Sequence, residues 1–136
     1  MIYDCFSYWD EDLLLDLRLN ILNEFVDHFV IVEGNKTWQN NKKDLKFNIN
    51  NFNKFKNKII YIPVTDMPDG DNPYIRENFQ RNCISRGLRN ANEDDLIIVS
   101  DLDEIPSGNT GPNCMTGLGL KPLLNKTGKS QAFIPN

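Results

Sequence analysis

The chain has 136 residues, of which 40% are hydrophobic, and this is enough for one compact domain with its own core. Its formal net charge of -4 excludes a general nucleic-acid binder and a binder of anionic membranes, because both need a basic surface. The three Cys residues are widely spaced and predict neither a disulfide framework nor a zinc site. Since no signal peptide or membrane anchor is recognisable, we expect a soluble, cytoplasmic protein.

Short apolar segments alternate with helical patterns along the chain. Strands are predicted where Val, Ile and aromatic residues crowd together, and helices where apolar residues recur at helical spacing. In chain order the predicted elements are a strand at Ile2–Phe6, a helix at Leu13–Leu22, strands at Val26–Val32 and Ile59–Val64, a helix at Tyr74–Asn90 and a strand at Leu96–Ser100. Residues 33–58 are polar with recurrent Leu, Phe and Ile, a pattern that fits either a loosely amphipathic helix or a packed loop.

The alternation of strands and helices predicts an α/β fold. Strands that are short and almost continuously apolar are typical of a parallel sheet that is covered by helices on both faces. In open sheets of this kind, ligands bind beyond the carboxyl ends of the strands. The residues expected at that edge are Phe6, Glu33, Thr65 and Asp101.

The composition changes abruptly after Pro106. Residues 107–136 contain three Lys, five of the eight Gly and no Asp or Glu. So few large apolar residues predict that this tail does not complete the sheet and is a linker, a poorly ordered extension or foreign, frameshifted sequence. The expected organisation is a domain over residues 1–106 and an atypical tail over residues 107–136.

Two aspartates follow the most apolar of the predicted strands. If strand alternation continues through Ser100–Glu104, Asp101 and Asp103 point to the same side and their carboxylates can converge on one cation. Carboxylate oxygens suit Mg²⁺ or Mn²⁺, and such an ion also takes phosphate oxygens of a substrate as ligands. The alternative is that these residues merely cap a surface strand, because Asp-x-Asp is a common sequence.

Two other segments offer groups that suit a nucleotide. The segment Arg76–Asn82 carries guanidinium and amide groups in the second predicted helix. The segment Glu33–Trp38 combines a charge, a Gly and an aromatic ring after the second strand. On pattern alone the first segment favours a solvated helix stripe, since Arg76 and Arg81 do not share a face, and Trp38 is equally compatible with a core position.

Five segments in this order carry a resemblance to a known family: Ile2–Phe6, Leu14–Leu22, Val26–Glu33, Arg76–Asn82 and Ser100–Pro106. Residues 1–106 resemble glycosyltransferase family 17. That family includes an enzyme that transfers N-acetylglucosamine from a UDP donor to a mannose of N-glycans with inversion. The resemblance implies the N-terminal half of a GT-A-like nucleotide-diphospho-sugar transferase fold, with a Rossmann-like sheet.

The resemblance also implies roles for individual residues. Asp101 and Asp103 match the metal motif and are expected to hold Mn²⁺ or Mg²⁺. The residues expected to bind the donor, UDP-N-acetylglucosamine, are Glu33, Thr37, Arg76, Gln80, Arg81, Asp101 and Asp103. No residue before Pro106 is identified as the general base of an inverting transfer.

These implications define a first function and two alternatives. The first is a transferase that moves a sugar, expected to be N-acetylglucosamine, from UDP to a glycan or polysaccharide acceptor by direct displacement. The second is a truncated or frameshifted relative that acts as a donor-binding or interaction module without transferring the sugar. The third is a metal-dependent phosphoryl-transfer enzyme, although the sequence lacks the Gly-rich phosphate loop that such enzymes often use.

Overall fold

A computed structural model describes residues 1–106 and, beyond them, the backbone of two strands at Leu120–Leu124 and Gln131–Pro135. Its strands and α-helices are β1 (Ile2–Ser7), α1 (Asp12–Leu22), β2 (His28–Gly34), β3 (Ile59–Val64), α2 (Pro73–Asn82), β4 (Leu96–Val99), β5 (Leu120–Leu124) and β6 (Gln131–Pro135). Two 3₁₀ segments, Ile49–Phe55 and Cys83–Gly87, precede β3 and follow α2. Within this described part of the chain, no helix has the length and apolar character needed to cross a membrane.

The strands form one sheet with the order β3-β2-β1-β4-β6-β5. Strands β1 to β4 pair in parallel, which confirms the predicted α/β fold with a parallel sheet. The chain passes from β1 outward to β2 and β3, and then returns to place β4 on the other side of β1. The order therefore reverses between β1 and β4, and in open α/β sheets such a switch point opens a crevice at the carboxyl ends of the strands.

Two segments of the tail extend the sheet beyond β4. Strand β6 pairs in parallel with β4, and β5 pairs with β6 in the antiparallel direction. This differs from the expectation that the tail does not contribute to the sheet, because each short apolar run is long enough for a strand despite its Gly-rich neighbours. The remainder of residues 107–136 lies outside the described residues, and the division of the chain at Pro106 stays a prediction.

The sheet is covered on both faces, as its apolar strands predict. Along β1, Phe6 faces a core formed with α1 and the 3₁₀ segment Ile49–Phe55. Its neighbour Cys5 faces the opposite core, to which the 3₁₀ segment Cys83–Gly87 contributes. Alternation along a strand therefore supplies one side chain to each core.

The boundaries of two elements differ from the sequence expectation. Strand β2 begins at His28 because Val26 still donates its N–H to the carbonyl of Leu22 at the end of α1. Helix α2 begins at Pro73, where the side chain of Asn72 accepts a hydrogen bond from the N–H of Tyr74. It ends at Asn82 and continues as a 3₁₀ segment instead of reaching Asn90.

Candidate functional site

A pocket of about 480 Å³ lies at the carboxyl ends of β1 and β4, where the strand order reverses. Residues Ser7–Trp9, which begin at the last residue of β1, line one part of it, and Asp101–Asp103, which follow β4, line another. Trp38 and Gln80 contribute to the lining from the loop after β2 and from α2. The pocket thus combines aromatic residues with three carboxylate residues, Glu11, Asp101 and Asp103, at the edge where ligands of such sheets bind.

The carboxylates of Asp101 and Asp103 belong to a tight turn after β4. The N–H of Glu104 donates to the carbonyl of Asp101 at 3.0 Å, and the N–H of Asp101 donates to the Glu104 carboxylate at 3.3 Å. Leu102 is buried in the core, whereas Asp101 and Asp103 are exposed and line the pocket. The two aspartates line the same pocket, and a turn, not the continued strand that the sequence predicts, places them there.

Arg81 is the residue of α2 that reaches this turn. Its guanidinium lies 3.4 Å from the carboxylate of Asp101 and 3.7 Å from that of Glu77. The side chains of Arg81 and Asp101 are 41% and 61% exposed, so that solvent screens their attraction. The pair is therefore weak enough for a cation or a phosphate to replace either partner.

The turn offers few ligands for a metal from the protein itself. Across the described residues, no group of three or more His, Cys, Asp or Glu side chains could hold a metal ion. A site built on Asp101 and Asp103 needs additional oxygen ligands from water and a bound phosphate, an arrangement that Mg²⁺ commonly adopts. Two exposed carboxylates facing one pocket fit a hard cation of this kind.

Two side chains of α2 fix the position of Trp38. The indole N–H of Trp38 donates to Gln80 Oε1 at 3.1 Å, while Arg76 Nε donates to the Trp38 carbonyl at 2.6 Å. Arg76 also donates to the carbonyl of Gly70 at 2.6 Å. Because Arg76 is buried and bonded to the protein, it acts on the pocket through Trp38, whereas Gln80 and Trp38 line the pocket directly.

Glu33 lies away from the pocket and organises the loop after β2. The carboxylate is fully buried and accepts hydrogen bonds from the N–H groups of Lys46 and Phe47, from the ammonium group of Lys43 and from the hydroxyl of Tyr61. Burial raises the pKa of the Tyr61 hydroxyl, and the hydrogen bond to Glu33 raises it further. Glu33 and Gly34 belong to β2, and residues 35–58 form a packed loop with one 3₁₀ segment. Of the two alternatives that the sequence left open, a helix or a packed loop, the structure therefore has the loop.

Thr37 shapes the same loop. Its hydroxyl oxygen accepts a hydrogen bond from the N–H of Asn41 at 3.1 Å, and its own N–H donates to the carbonyl of Asn41 at 2.8 Å. Of the seven residues expected to bind the donor, the structure therefore brings four to the pocket or its edge: Gln80, Arg81, Asp101 and Asp103. The other three bond to the protein: Glu33, Thr37 and Arg76.

The sequence interpretation missed several residues near the site. Tyr8 and Trp9 line the pocket, although they lie between the first predicted strand and the first predicted helix, where no candidate was named. Burial raises the pKa of Tyr8, and a hydrogen bond to the carboxylate of Asp12 raises it further. Arg18 on α1 is fully buried against Asp4 on β1. A signal for that pair existed, because an acidic residue inside an apolar strand needs a buried cation.

The chain matches a known protein family over most of its length. The sequence model of Glycosyltransferase family 17 matches residues 1–113, which include every residue that lines the pocket. The chain belongs to glycosyltransferase family 17. Family membership confirms the resemblance that the five sequence segments carry.

Curated relatives cover part of the chain. Human and rat proteins named β-1,4-mannosyl-glycoprotein 4-β-N-acetylglucosaminyltransferase are each 34% identical to it over 105 residues, and the mouse protein is 33% identical. The alignments include 69% of this chain and 19 to 20% of the relatives, so that the family 17 chain spans about a fifth of their length. No solved structure matches it significantly.

Proposed function

We propose that this family 17 chain binds a nucleotide sugar in the pocket between β1 and β4, as part of a metal-dependent glycosyltransferase. The observation that carries the proposal is the meeting of Asp101 and Asp103 with Trp9 and Trp38 in one pocket at the switch point of the sheet. The relatives' names support N-acetylglucosamine as the transferred sugar and a mannosyl-glycoprotein as its acceptor. The donor proposed for this chain is UDP-N-acetylglucosamine, and the proposed acceptor is a glycan or polysaccharide. The strand order supports a GT-A-like, Rossmann-like sheet.

In this proposal Asp101 and Asp103 hold Mn²⁺ or Mg²⁺ at the wall of the pocket. The ion supplies positive charge that stabilises the diphosphate as its bond to the sugar breaks. Because both residues line the pocket, their carboxylates would orient that charge towards it. Arg81, at the edge of the same turn, adds a guanidinium that suits phosphate oxygens.

The aromatic part of the pocket complements the remainder of the donor. Trp38 is held by its hydrogen bond to Gln80, and Trp9 lies with the Lys43 ammonium group 5.2 Å from its ring centroid. Indole faces suit planar bases and sugar rings, while the carboxylates suit the metal that accompanies a diphosphate. Inversion requires the acceptor hydroxyl to attack opposite the diphosphate with the help of a general base, a role that we assign to no described residue.

Calorimetric titration of UDP into the purified chain, with and without Mn²⁺, tests the binding step. We expect UDP affinity to depend on Mn²⁺ and to fall by at least about tenfold in Asp101→Ala and in Asp103→Ala, because each removes a metal ligand. Asp16→Ala is the matched control, since Asp16 is exposed on α1 and does not line the pocket. Equal UDP affinity in the presence of a chelator would contradict the proposal.

A transfer assay separates catalysis from binding. Labelled UDP-N-acetylglucosamine, Mn²⁺ and mannose-terminated acceptors are given to the same protein. A labelled glycan that forms only with metal supports the transferase. UDP binding without any such product supports the alternative, a donor-binding module that does not transfer the sugar.

A further inference from the structure

Arg18, on α1, is buried in the interior beneath the turn after β4. Its Nε and one terminal nitrogen donate to the two carboxylate oxygens of Asp4 at 2.8 and 2.7 Å. The guanidinium carbon lies 4.6 Å from the centroid of the Phe6 ring. A buried ion pair is costly unless its remaining N–H groups also find acceptors, so the other contacts of Arg18 are informative.

Those other contacts are made with the turn that carries the two aspartates. The second terminal nitrogen of Arg18 donates to the backbone carbonyls of Asp101, Leu102 and Glu104 at 2.7, 3.2 and 3.3 Å. The terminal nitrogen that bonds to Asp4 also donates to the hydroxyl of Ser100, at 2.5 Å. One side chain therefore bonds to four residues of the segment Ser100–Glu104 from its inner side.

We propose that Arg18 is a positioning residue for the metal-binding turn. By fixing the three carbonyl oxygens towards the interior, it holds the carboxylates of Asp101 and Asp103 towards the pocket on the other side of the backbone. Asp4 balances the charge of Arg18 and fixes the plane of its guanidinium. Neither Arg18 nor Asp4 lines the pocket, so the pair acts through the turn and does not touch the ligand.

The inference rests on the proposed function to the extent that the carboxylates bind a metal. Arg18→Lys keeps a positive charge beside Asp4 but loses the planar fork, and a single ammonium group cannot replace all six contacts. The aspartates then lose their fixed orientation. We expect Mn²⁺ affinity to fall by about 10- to 100-fold, the usual loss when a group that orients metal ligands is removed.

The test compares the wild-type chain with Arg18→Lys, Ser100→Ala and Leu22→Ala. Leu22 is buried and is the last residue of α1, whereas Leu14, which lines the pocket, lies in the first turn of the same helix. Leu22→Ala therefore destabilises the same helix without removing a bond to the turn. Mn²⁺ affinity is measured by electron paramagnetic resonance, stability by thermal unfolding, and order of the turn by amide hydrogen exchange at residues 101–104.

We expect Arg18→Lys to weaken Mn²⁺ binding and to speed exchange at the turn, while Leu22→Ala changes Mn²⁺ affinity by less than about twofold despite its lower melting temperature. Unchanged affinity and exchange in a folded Arg18→Lys would overturn the proposal. If that variant does not fold, Ser100→Ala decides, because faster exchange supports the anchoring role and unchanged exchange overturns it. A wild-type chain that binds no Mn²⁺ refutes the proposed function, and the exchange rates still test the role of Arg18.

Discussion

At the scale of single residues, the ion pair between Arg81 and Asp101 is expected to break when ligands bind, because a cation would bind Asp101 and a phosphate would bind Arg81. It has a long contact of 3.4 Å and both side chains are partly exposed, so that its own contribution is in the range of about 0.2–1 kcal/mol. A cation at Asp101 displaces the guanidinium, which is then free to contact a phosphate. Removal of Arg81 is therefore expected to strengthen the binding of metal alone and to weaken the binding of nucleotide.

The variant Arg81→Ala tests the two effects separately. Without nucleotide, Mn²⁺ should bind up to about fivefold more tightly, because Asp101 no longer has a competing partner. In the presence of Mn²⁺, UDP should bind more weakly by about 1.5–3 kcal/mol, the range for a lost hydrogen bond to a charged group. Calorimetric titrations measure both effects. The exposed Arg89→Ala is the control, and a loss of UDP affinity equal in both variants would exclude a specific contact at Arg81.

The structure places some of the candidate residues at the pocket and others in the protein interior, for a physical reason. Asp101 and Asp103 could be found because they directly follow an apolar strand, and the ends of such strands form the ligand edge. Glu33, near the end of β2, and Arg76, in α2, were also candidates, but their charged groups bond to backbone groups in the interior. A one-dimensional pattern does not tell whether a guanidinium faces a ligand or a buried carbonyl.

At the scale of elements, strands were easier to predict than the loop between them. Strands β1, β3 and β4 match their predicted segments closely, because short runs rich in β-branched and aromatic residues suit the buried strands of a parallel sheet. The conformation of residues 33–58 instead depends on the buried carboxylate of Glu33, which contacts residues ten or more positions away. Such long-range hydrogen bonds have no periodic signature.

Two glycines test how closely neighbouring residues pack at β2: Gly87, in the 3₁₀ segment next to β2, and Gly34, the last residue of β2. A Cβ on Gly87, in the 3₁₀ segment, would lie 2.5 Å from a methyl of Val30, which is fully buried and stiff. A Cβ on Gly34 would lie 2.2 Å from the terminal methyl of Met67, which can move. We expect Gly87→Ala to cost about 1–3 kcal/mol of unfolding free energy and Gly34→Ala to cost less. Urea denaturation compares them, and a larger loss for Gly34→Ala would contradict this account.

At the scale of the whole molecule, the proposed chemistry and an ion pair occupy opposite ends of the parallel strands. The pocket lies at the carboxyl ends of β1 and β4, whereas the Met1 ammonium group and the carboxylate of Asp95 meet at their amino ends, 2.7 Å apart. Asp95 also accepts a hydrogen bond from the N–H of Asn92 at 2.7 Å. These contacts join the start of the chain to the loop before β4, and they make its stability depend on pH.

The ion pair is expected to lose its contribution to stability at both acid and alkaline pH. The hydrogen bond from the N–H of Asn92, and after it the hydrogen bond from Met1, lower the pKa of Asp95 below its ordinary value of 3.8. The stabilisation by ionised Asp95 is therefore present above pH 3.8 and is lost as pH falls through the folded-state pKa. The hydrogen bond to Asp95 raises the pKa of the Met1 ammonium group above 8.0, so that contribution is present below 8.0 and is lost as pH rises through the folded-state pKa.

Asp95→Asn should therefore lower the free energy of unfolding at neutral pH, because the amide keeps an acceptor for Asn92 but carries no charge for Met1. The free energy of unfolding of this variant should also change less with pH in the acid and alkaline ranges than that of the wild type. Urea denaturation across the acid, neutral and alkaline ranges measures the profile. Asp16→Asn, at an exposed position of α1, is the control for the loss of one negative charge. A profile for Asp95→Asn that runs parallel to that of the wild type would show that this ion pair does not couple the stability of the sheet to pH.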